Sequence, residues 1–126
     1  ILGTNDPEYV RMHADPAATL AKARDAGHLT VLAHPFRWEG GREFIESGCV
    51  PDALELRTNG HGPAEAALSE LAAEEYGLPL LNAGDTHDLH MLNRFWIETD
   101  APLRGPLDVR KTVLNRGYVN CLDPDA

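Results

Sequence analysis

The chain has 126 residues, of which 43% are hydrophobic and 25% are charged, and its formal net charge is −9. This composition is typical of a single globular domain and argues against intrinsic disorder. Its apolar runs are far shorter than the about 20 residues that a membrane helix needs, so we expect no membrane partner. Because an acidic surface repels the phosphate backbone, we do not expect nucleic acid to be a main partner.

The cysteine content and the first residue suggest where the chain comes from. Cys49 and Cys121 are too few for a disulfide framework, so we predict reduced thiols and a cytoplasmic location. No signal-peptide pattern opens the sequence. The chain begins with Ile1 rather than Met, and we therefore expect it to be part of a longer protein.

Helices and strands are predicted to alternate along the chain. Three segments begin with a cap-like residue and a proline and end in glycine, a pattern typical of helix boundaries. Short apolar runs rich in strand-forming residues lie between them. In chain order we predict helix 15–27, strand 29–34, a shorter helix 41–47, strand 53–58, helix 62–77, strands 78–84 and 94–99, helix 105–117 and strand 118–122.

This alternation predicts an α/β fold with mostly parallel strands and flanking helices, in one domain over residues 1–126. Parallel sheets need both faces covered. The predicted elements could form a small layered structure, or they could be a slice of a barrel. In both cases ligands gather at the carboxyl ends of the strands, so we expect any chemistry directly after strands 29–34, 53–58 and 78–84.

The segment "VLAHPFRW" places His34 at the end of an apolar strand. His34 could be a metal ligand through a neutral imidazole nitrogen, or it could cap the strand end by hydrogen bonding. Arg37 follows three residues later. Its guanidinium could bind a phosphate group bidentately, or it could be a surface arginine.

The segment "LLNAGDTHDLH" contains the densest group of possible metal ligands. In an extended segment alternate side chains share a face, so we predict that Asp85 and His87 point the same way and chelate a divalent cation. They can meet His34 if the strand over residues 53–58 lies between their strands or close by. Asp88 and His90 are predicted to be solvated turn residues.

The remaining polar and aromatic candidates receive mainly structural interpretations. Glu55 shares strand parity with Arg57, and it could be a carboxylate near the site or half of a polar face on an exposed strand. We favour the exposed strand. We predict that His61 belongs to a polar turn and that His13 and His28 lie at surface or cap positions. Trp38 and Trp96 are predicted to lie in the core or in a pocket wall.

Three segments in order, "LTVLAHPFRW", "DALELRTNG" and "LPLLNAGDTHD", resemble the PHP (polymerase and histidinol phosphatase) family, especially its metal-dependent phosphoesterases. The resemblance covers about residues 15–100. It implies a distorted (β/α)7 barrel with divalent metal ions (Zn, Mn or Fe) at the strands' carboxyl ends. By position, His34, Asp85 and His87 match metal ligands and Arg37 matches a phosphate-binding residue. Glu55 and Asn59 match a Glu–Asn signature loosely, because the asparagine comes one residue late.

The resemblance also implies that part of the domain is missing. The family opens with a His-x-His strand, and this sequence contains no His-x-His. We therefore expect the chain to be the carboxyl-terminal half of a PHP-like domain, with further ligands supplied by the missing amino-terminal half. The implied activity is hydrolysis of a phosphorylated small molecule or nucleotide, weak or absent in this chain alone. The alternative is a non-catalytic module that self-associates as a homo-oligomer to cover an open sheet edge.

Overall fold

A computed structural model describes residues 1–2, 4–11 and 15–126. The helices in this part of the chain are α1 Glu8–Arg11, α2 Pro16–Asp25, α3 Gly41–Glu46, α4 Pro63–Tyr76 and α5 Asp108–Leu114. The strands are β1 Val31–Leu32, β2 Ala53–Glu55, β3 Leu80–Leu81, β4 Phe95–Thr99 and β5 Tyr118–Leu122. All nine predicted elements are present in the predicted order, although most are shorter than predicted. The helix α1 was not predicted.

The first three strands form a parallel sheet in the order β1–β2–β3. Val31 pairs with Ala53, and Leu54 pairs with Leu80. The last two strands form a separate antiparallel pair. The protein therefore has a mixed α/β fold with a three-stranded parallel sheet and flanking helices, and within the described residues the strands do not close into a barrel. The strand β2 lies between β1 and β3, which is one of the two arrangements that would let His34 meet Asp85 and His87.

Alternating residues of the sheet build two separate cores. Leu54 faces Ile45 of α3 and Ala72 and Ala73 of α4. Its neighbour Ala53 faces the opposite side and belongs to a cluster with Leu29, Leu81 and Val113. Successive side chains of a strand point to opposite faces, so the two-residue alternation in "AL" is enough to bury both sides. The sheet is thus covered by α3 and α4 on one face and by α5 with the β4–β5 pair on the other.

Side chains, and not a backbone ladder, hold β5 beside β3. The buried Asn82 donates from its backbone N–H to Oδ1 of Asn120 at 2.7 Å, and its Nδ2 donates to the Cys121 carbonyl at 2.9 Å. In return, Asn120 Nδ2 and the Tyr118 hydroxyl donate to the Leu80 carbonyl. Because buried polar groups need partners, these bonds fix the antiparallel pair against the parallel sheet.

The helix α4 positions the end of β2. Proline at its first turn and Gly77 in the left-handed conformation (φ 69°) after its last residue define its boundaries. The buried hydroxyl of Ser69 donates to the backbone carbonyl of Glu55 at 2.9 Å. The helix therefore holds the backbone at Glu55, which is the last residue of the central strand.

Two further expectations concern the environment of the chain. Cys49 and Cys121 are both free thiols, as predicted. None of the helices in the described ranges is long and apolar enough to cross a membrane.

Candidate functional site at the carboxyl ends of the parallel strands

His34 lies just beyond β1 in an unusual backbone conformation. Its φ is 31°, in the left-handed region that side-chain-bearing residues rarely adopt. Its backbone N–H donates to Oε2 of Glu55 at 2.7 Å. The following turn packs tightly, since a Cβ at Gly41 would lie 1.6 Å from the Pro35 carbonyl oxygen. The hydrogen bond from His34 to Glu55 is thus made by the backbone N–H of His34 and not by its imidazole.

Glu55 is half-buried at the end of the central strand. Burial raises the pKa of its carboxyl, and the nearby Asp85 charge acts in the same direction, while the hydrogen bond from His34 opposes them. The expectation that Glu55 lies on an exposed strand is wrong, because β2 has a neighbouring strand on each side. Glu55 instead joins His34 and Asp85 at one edge of the sheet.

Asp85 follows β3 and also has a left-handed backbone, with φ 44°. Its side chain is only 15% exposed, and Oδ2 lies 3.3 Å from Nη1 of Arg37. Both side chains contact Gly60: a Cβ there would lie 2.4 Å from Oδ2 of Asp85 and 2.5 Å from Nη1 of Arg37. The loop after β2 therefore needs a glycine for this ion pair to form.

His87 lies close to Asp85, but not for the reason that strand parity suggests. The chain is not extended at Asp85, so the prediction that the two side chains share a strand face is wrong. Instead, Nδ1 of His87 lies 2.9 Å from the backbone carbonyl oxygen of Asp85 and 3.7 Å from Oδ1 of Asp85. The imidazole is 73% exposed. Asp88 and His90 are exposed in and next to a short 3-10 turn, which confirms their assignment as turn residues.

The donor types at this edge suit a divalent metal ion in kind but not in number. In the ranges that the structure covers, no three His, Cys, Asp or Glu side chains are grouped so that they could hold a metal ion. Arg37 also occupies one oxygen of Asp85. The described residues therefore do not form a complete metal site, and the assignment of His34, Asp85 and His87 as ligands stays a prediction.

His61 is more than the polar turn residue that the sequence suggests. It does lie in the turn before α4, where it pairs with Thr58, but its side chain is buried. Nδ1 lies 2.7 Å from the Leu56 carbonyl, and Nε2 accepts a hydrogen bond from the Phe36 N–H at 3.3 Å. His61 thus joins the loops that follow β1 and β2. Nothing in "TNGHGP" distinguishes a buried histidine from an exposed one.

Asn59 ties the loop after β2 to the loop after β3. Its Nδ2 donates to the carbonyls of Gly84 at 2.6 Å and Met91 at 2.9 Å, and its Oδ1 accepts from Nη1 of Arg94 at 3.3 Å. Sequence reasoning noted Asn59 only through the family resemblance, and it did not single out Arg94. In the sequence Arg94 is the first residue of the predicted strand 94–99, which is a weak signal by itself.

Other predicted positions differ from expectation or lie outside the structure. Trp38 was expected in the core or a pocket wall, but the residue is 68% exposed and the Arg37 guanidinium lies 5.1 Å from its ring. Trp96 is half-buried. His28 is half-buried with its ring edge-on to Tyr9, and His13 lies outside the described residues.

Comparison of the chain with protein-family models, with curated proteins and with solved structures finds no match. The argument for a function therefore depends on the residues and contacts described above.

Proposed function

We propose that this chain supplies part of the site of a metal-dependent phosphoesterase of the PHP type, with a distorted (β/α)7 barrel in the intact protein and a cytoplasmic location. The residues assigned to the metal are His34, Asp85 and His87, and the remaining ligands come from residues other than those described. The substrate class is a phosphorylated small molecule or nucleotide.

One observation carries this proposal. His34 and Asp85, which end two different strands, are both held in the left-handed backbone region. A residue with a side chain is strained there by about 1–3 kcal/mol, and such strain is concentrated at functional sites. Glycine would relieve the strain at both positions, but the chain has a histidine and an aspartate there, both of which are common metal ligands. Their shared position at one sheet edge supports a common function.

Two described residues would position the proposed metal ligands. Glu55 fixes the backbone of His34 through the 2.7 Å hydrogen bond. Arg37 orients the Asp85 carboxylate and lowers the local negative charge. A divalent metal, when bound, lowers the pKa of a water ligand and polarises the phosphoryl oxygen. An incomplete ligand set encloses a metal poorly, so we expect weak metal binding by this chain alone.

The experiment is metal binding and phosphatase turnover with matched variants. The test variants are His34→Ala and Asp85→Asn, and the controls are His90→Ala and Asp88→Asn, which make the same changes in the exposed turn. We expect the test variants to lose at least about tenfold in Mn²⁺ or Zn²⁺ affinity. A loss of about tenfold is the smallest that is typical when a group that supports a metal ligand is mutated. Equilibrium dialysis measures affinity, and hydrolysis of p-nitrophenyl phosphate measures turnover. Equal affinity in the test and control variants would overturn the assignment.

A second candidate function is self-association as a non-catalytic module. Several large apolar side chains are exposed, among them Leu68 and Leu71 on the outer side of α4, at 43% and 59%. Exposed apolar patches often mark interaction surfaces. Light scattering measures the mass in solution: a dimer that Leu71→Glu converts to a monomer would support this candidate. A monomer at all concentrations would exclude it.

A further inference from the structure

Two arginines contact the same buried phenylalanine near the candidate site. Arg57 lies two residues beyond Glu55, and Arg94 directly precedes β4. Their guanidinium carbons lie 5.1 Å and 5.9 Å from the ring of Phe95, which is 6% exposed. A guanidinium stacked on an aromatic ring keeps its N–H edges for other partners. Both guanidinium groups therefore lie within 6 Å of the same buried ring.

Neither guanidinium forms an ion pair with a carboxylate in the described ranges, although the chain has 20 acidic residues. Both arginines are half-buried, and Nε of Arg57 is buried without a hydrogen-bond partner among the described residues. A charge removed from water without a counter-charge is unfavourable. Contact with Phe95 offsets only part of that cost. An anionic partner would offset the rest.

The pair is tied to the same edge as the carboxylate and histidine cluster. Nη1 of Arg94 donates to Asn59, and Asn59 donates to the carbonyl of Gly84, the residue before Asp85. By contrast, Arg37 is already partnered by Asp85. An incoming anion would have to compete with that carboxylate for Arg37, whereas Arg57 and Arg94 are not engaged by any described carboxylate.

We propose that Arg57 and Arg94 form the phosphate-binding subsite of this protein and hold the phosphate group of its ligand. A carboxylate presents two oxygens and suits one arginine fork, whereas a phosphate monoester presents three and can engage two guanidinium groups. This inference rests on the proposed function for the identity of the ligand, since it assigns the groups that hold the phosphate. It does not require that hydrolysis occur.

The test is a metal-free NMR titration of the ¹⁵N-labelled chain with inorganic phosphate, compared with chloride at equal ionic strength. We expect saturable, phosphate-specific shifts of the amides of Gly84 and Phe95. Arg57→Gln and Arg94→Gln should each weaken phosphate binding by at least about tenfold, the scale of a lost charged hydrogen bond. Arg57→Lys should also weaken it, because lysine keeps the charge but lacks the fork.

The matched control is Arg104→Gln, which removes the same charge from an exposed side chain. It should bind phosphate as the unmodified chain does. The absence of phosphate-specific shifts, unchanged binding in Arg94→Gln, or an equal loss in Arg104→Gln would overturn the proposal. If Arg57→Gln does not fold, as judged by circular dichroism, Arg57→Lys and Arg94→Gln decide the outcome. If the chain binds phosphate through these arginines but Asp85→Asn does not change its metal affinity, the proposed function fails and this inference stands.

Discussion

The backbone N–H of His34 donates to Oε2 of Glu55 at 2.7 Å, and this bond joins the ends of two neighbouring parallel strands. The acceptor is a half-buried carboxylate whose pKa is raised chiefly by burial. The same residue that fixes His34 is thus one whose ionised form is disfavoured by its surroundings. Its hydrogen bond should therefore hold His34 in place, whereas its buried charge should lower the stability of the fold at neutral pH.

We predict that Glu55→Gln stabilises the protein at neutral pH. The amide oxygen of glutamine can still accept from His34, but the cost of burying a charge is removed. Because the folded pKa of Glu55 is raised, the native state binds the proton more tightly, and the unmodified protein loses stability as pH rises through that pKa. Thermal unfolding followed from neutral pH to below about pH 4 checks this.

The stability difference between Glu55→Gln and the unmodified chain should vanish at the acid end of that range, where the glutamate is protonated in both states. Glu43→Gln, at an exposed position of α3, is the control and should show no such pH-dependent difference. A Glu55→Gln protein that is less stable than the unmodified chain at neutral pH would contradict the prediction.

We predict that His34→Gly is more stable than His34→Ala, by roughly 0.5–1 kcal/mol. Glycine relieves the left-handed strain at this position, whereas alanine keeps it, and the entropy of the unfolded glycine chain offsets part of the gain. Urea unfolding measures the difference. Arg116 has φ 55° outside the candidate site, so the same pair of substitutions there should show a similar difference. Equal stability of the two His34 variants would show that the backbone is not strained.

We predict that Gly60→Ala separates Arg37 from Asp85 without unfolding the protein. An added methyl group would overlap both side-chain ends, and these flexible ends can move apart. The ion pair is partly exposed, so the loss of stability should stay within about 1 kcal/mol. The NMR signals of the Arg37 side chain should shift. Gly105→Ala is the control, because nothing lies within 4 Å of a Cβ at that position, and it should leave those signals unchanged.

We predict that Asp52→Asn destabilises the fold by about 2 kcal/mol at neutral pH. Oδ2 of the buried Asp52 accepts from the backbone N–H and the hydroxyl of Thr30, and Oδ1 lies 3.3 Å from Nη2 of Arg110. Burial acts to raise the pKa of this carboxyl, but these hydrogen bonds outweigh it and hold the pKa below its usual value.

Because the folded pKa of Asp52 is lowered, its contribution is present above the unfolded pKa of about 4 and is lost as pH falls through the folded pKa. The deficit of Asp52→Asn should therefore shrink in acid. The exposed Asp125 serves as the control, and Asp125→Asn should change stability by less than about 0.5 kcal/mol. A deficit that stays constant down to the lowest pH would argue against the ionised carboxylate as its cause.

The order of elements was predictable because it depends on local signals. Proline and glycine mark the helix ends, as they do for α4, and apolar pairs such as Leu80 and Leu81 mark the strands. The lengths were not predictable, because a strand such as β1 ends where its pairing ends, at Leu32. The antiparallel pairing of β4 with β5 was also missed, since it depends on contacts between residues far apart in sequence.

The site was predicted in part, for a similar reason. Strand-end position brought His34 and Asp85 into consideration, and the structure places both at one edge. The direction of His87 could not be read, because the left-handed turn at Asp85 interrupts the alternation on which the prediction depended. Arg57 was noted only as a partner of Glu55 in strand parity. Its contact with Phe95 joins segments almost forty positions apart, and no local pattern reports such a contact.

The hydrogen bonds from Asn120 and Tyr118 to the Leu80 carbonyl also limit how the sheet can grow. They occupy a backbone acceptor on the outer side of β3 that an added strand would need. The opposite edge of the sheet is β1, which pairs with β2 on its inner side. On its outer side the described residues provide only the isolated bridge between Leu2 and Leu29. Any further strand, from this protein or from a second copy, would therefore extend the sheet from β1 and approach the site from the side of His34.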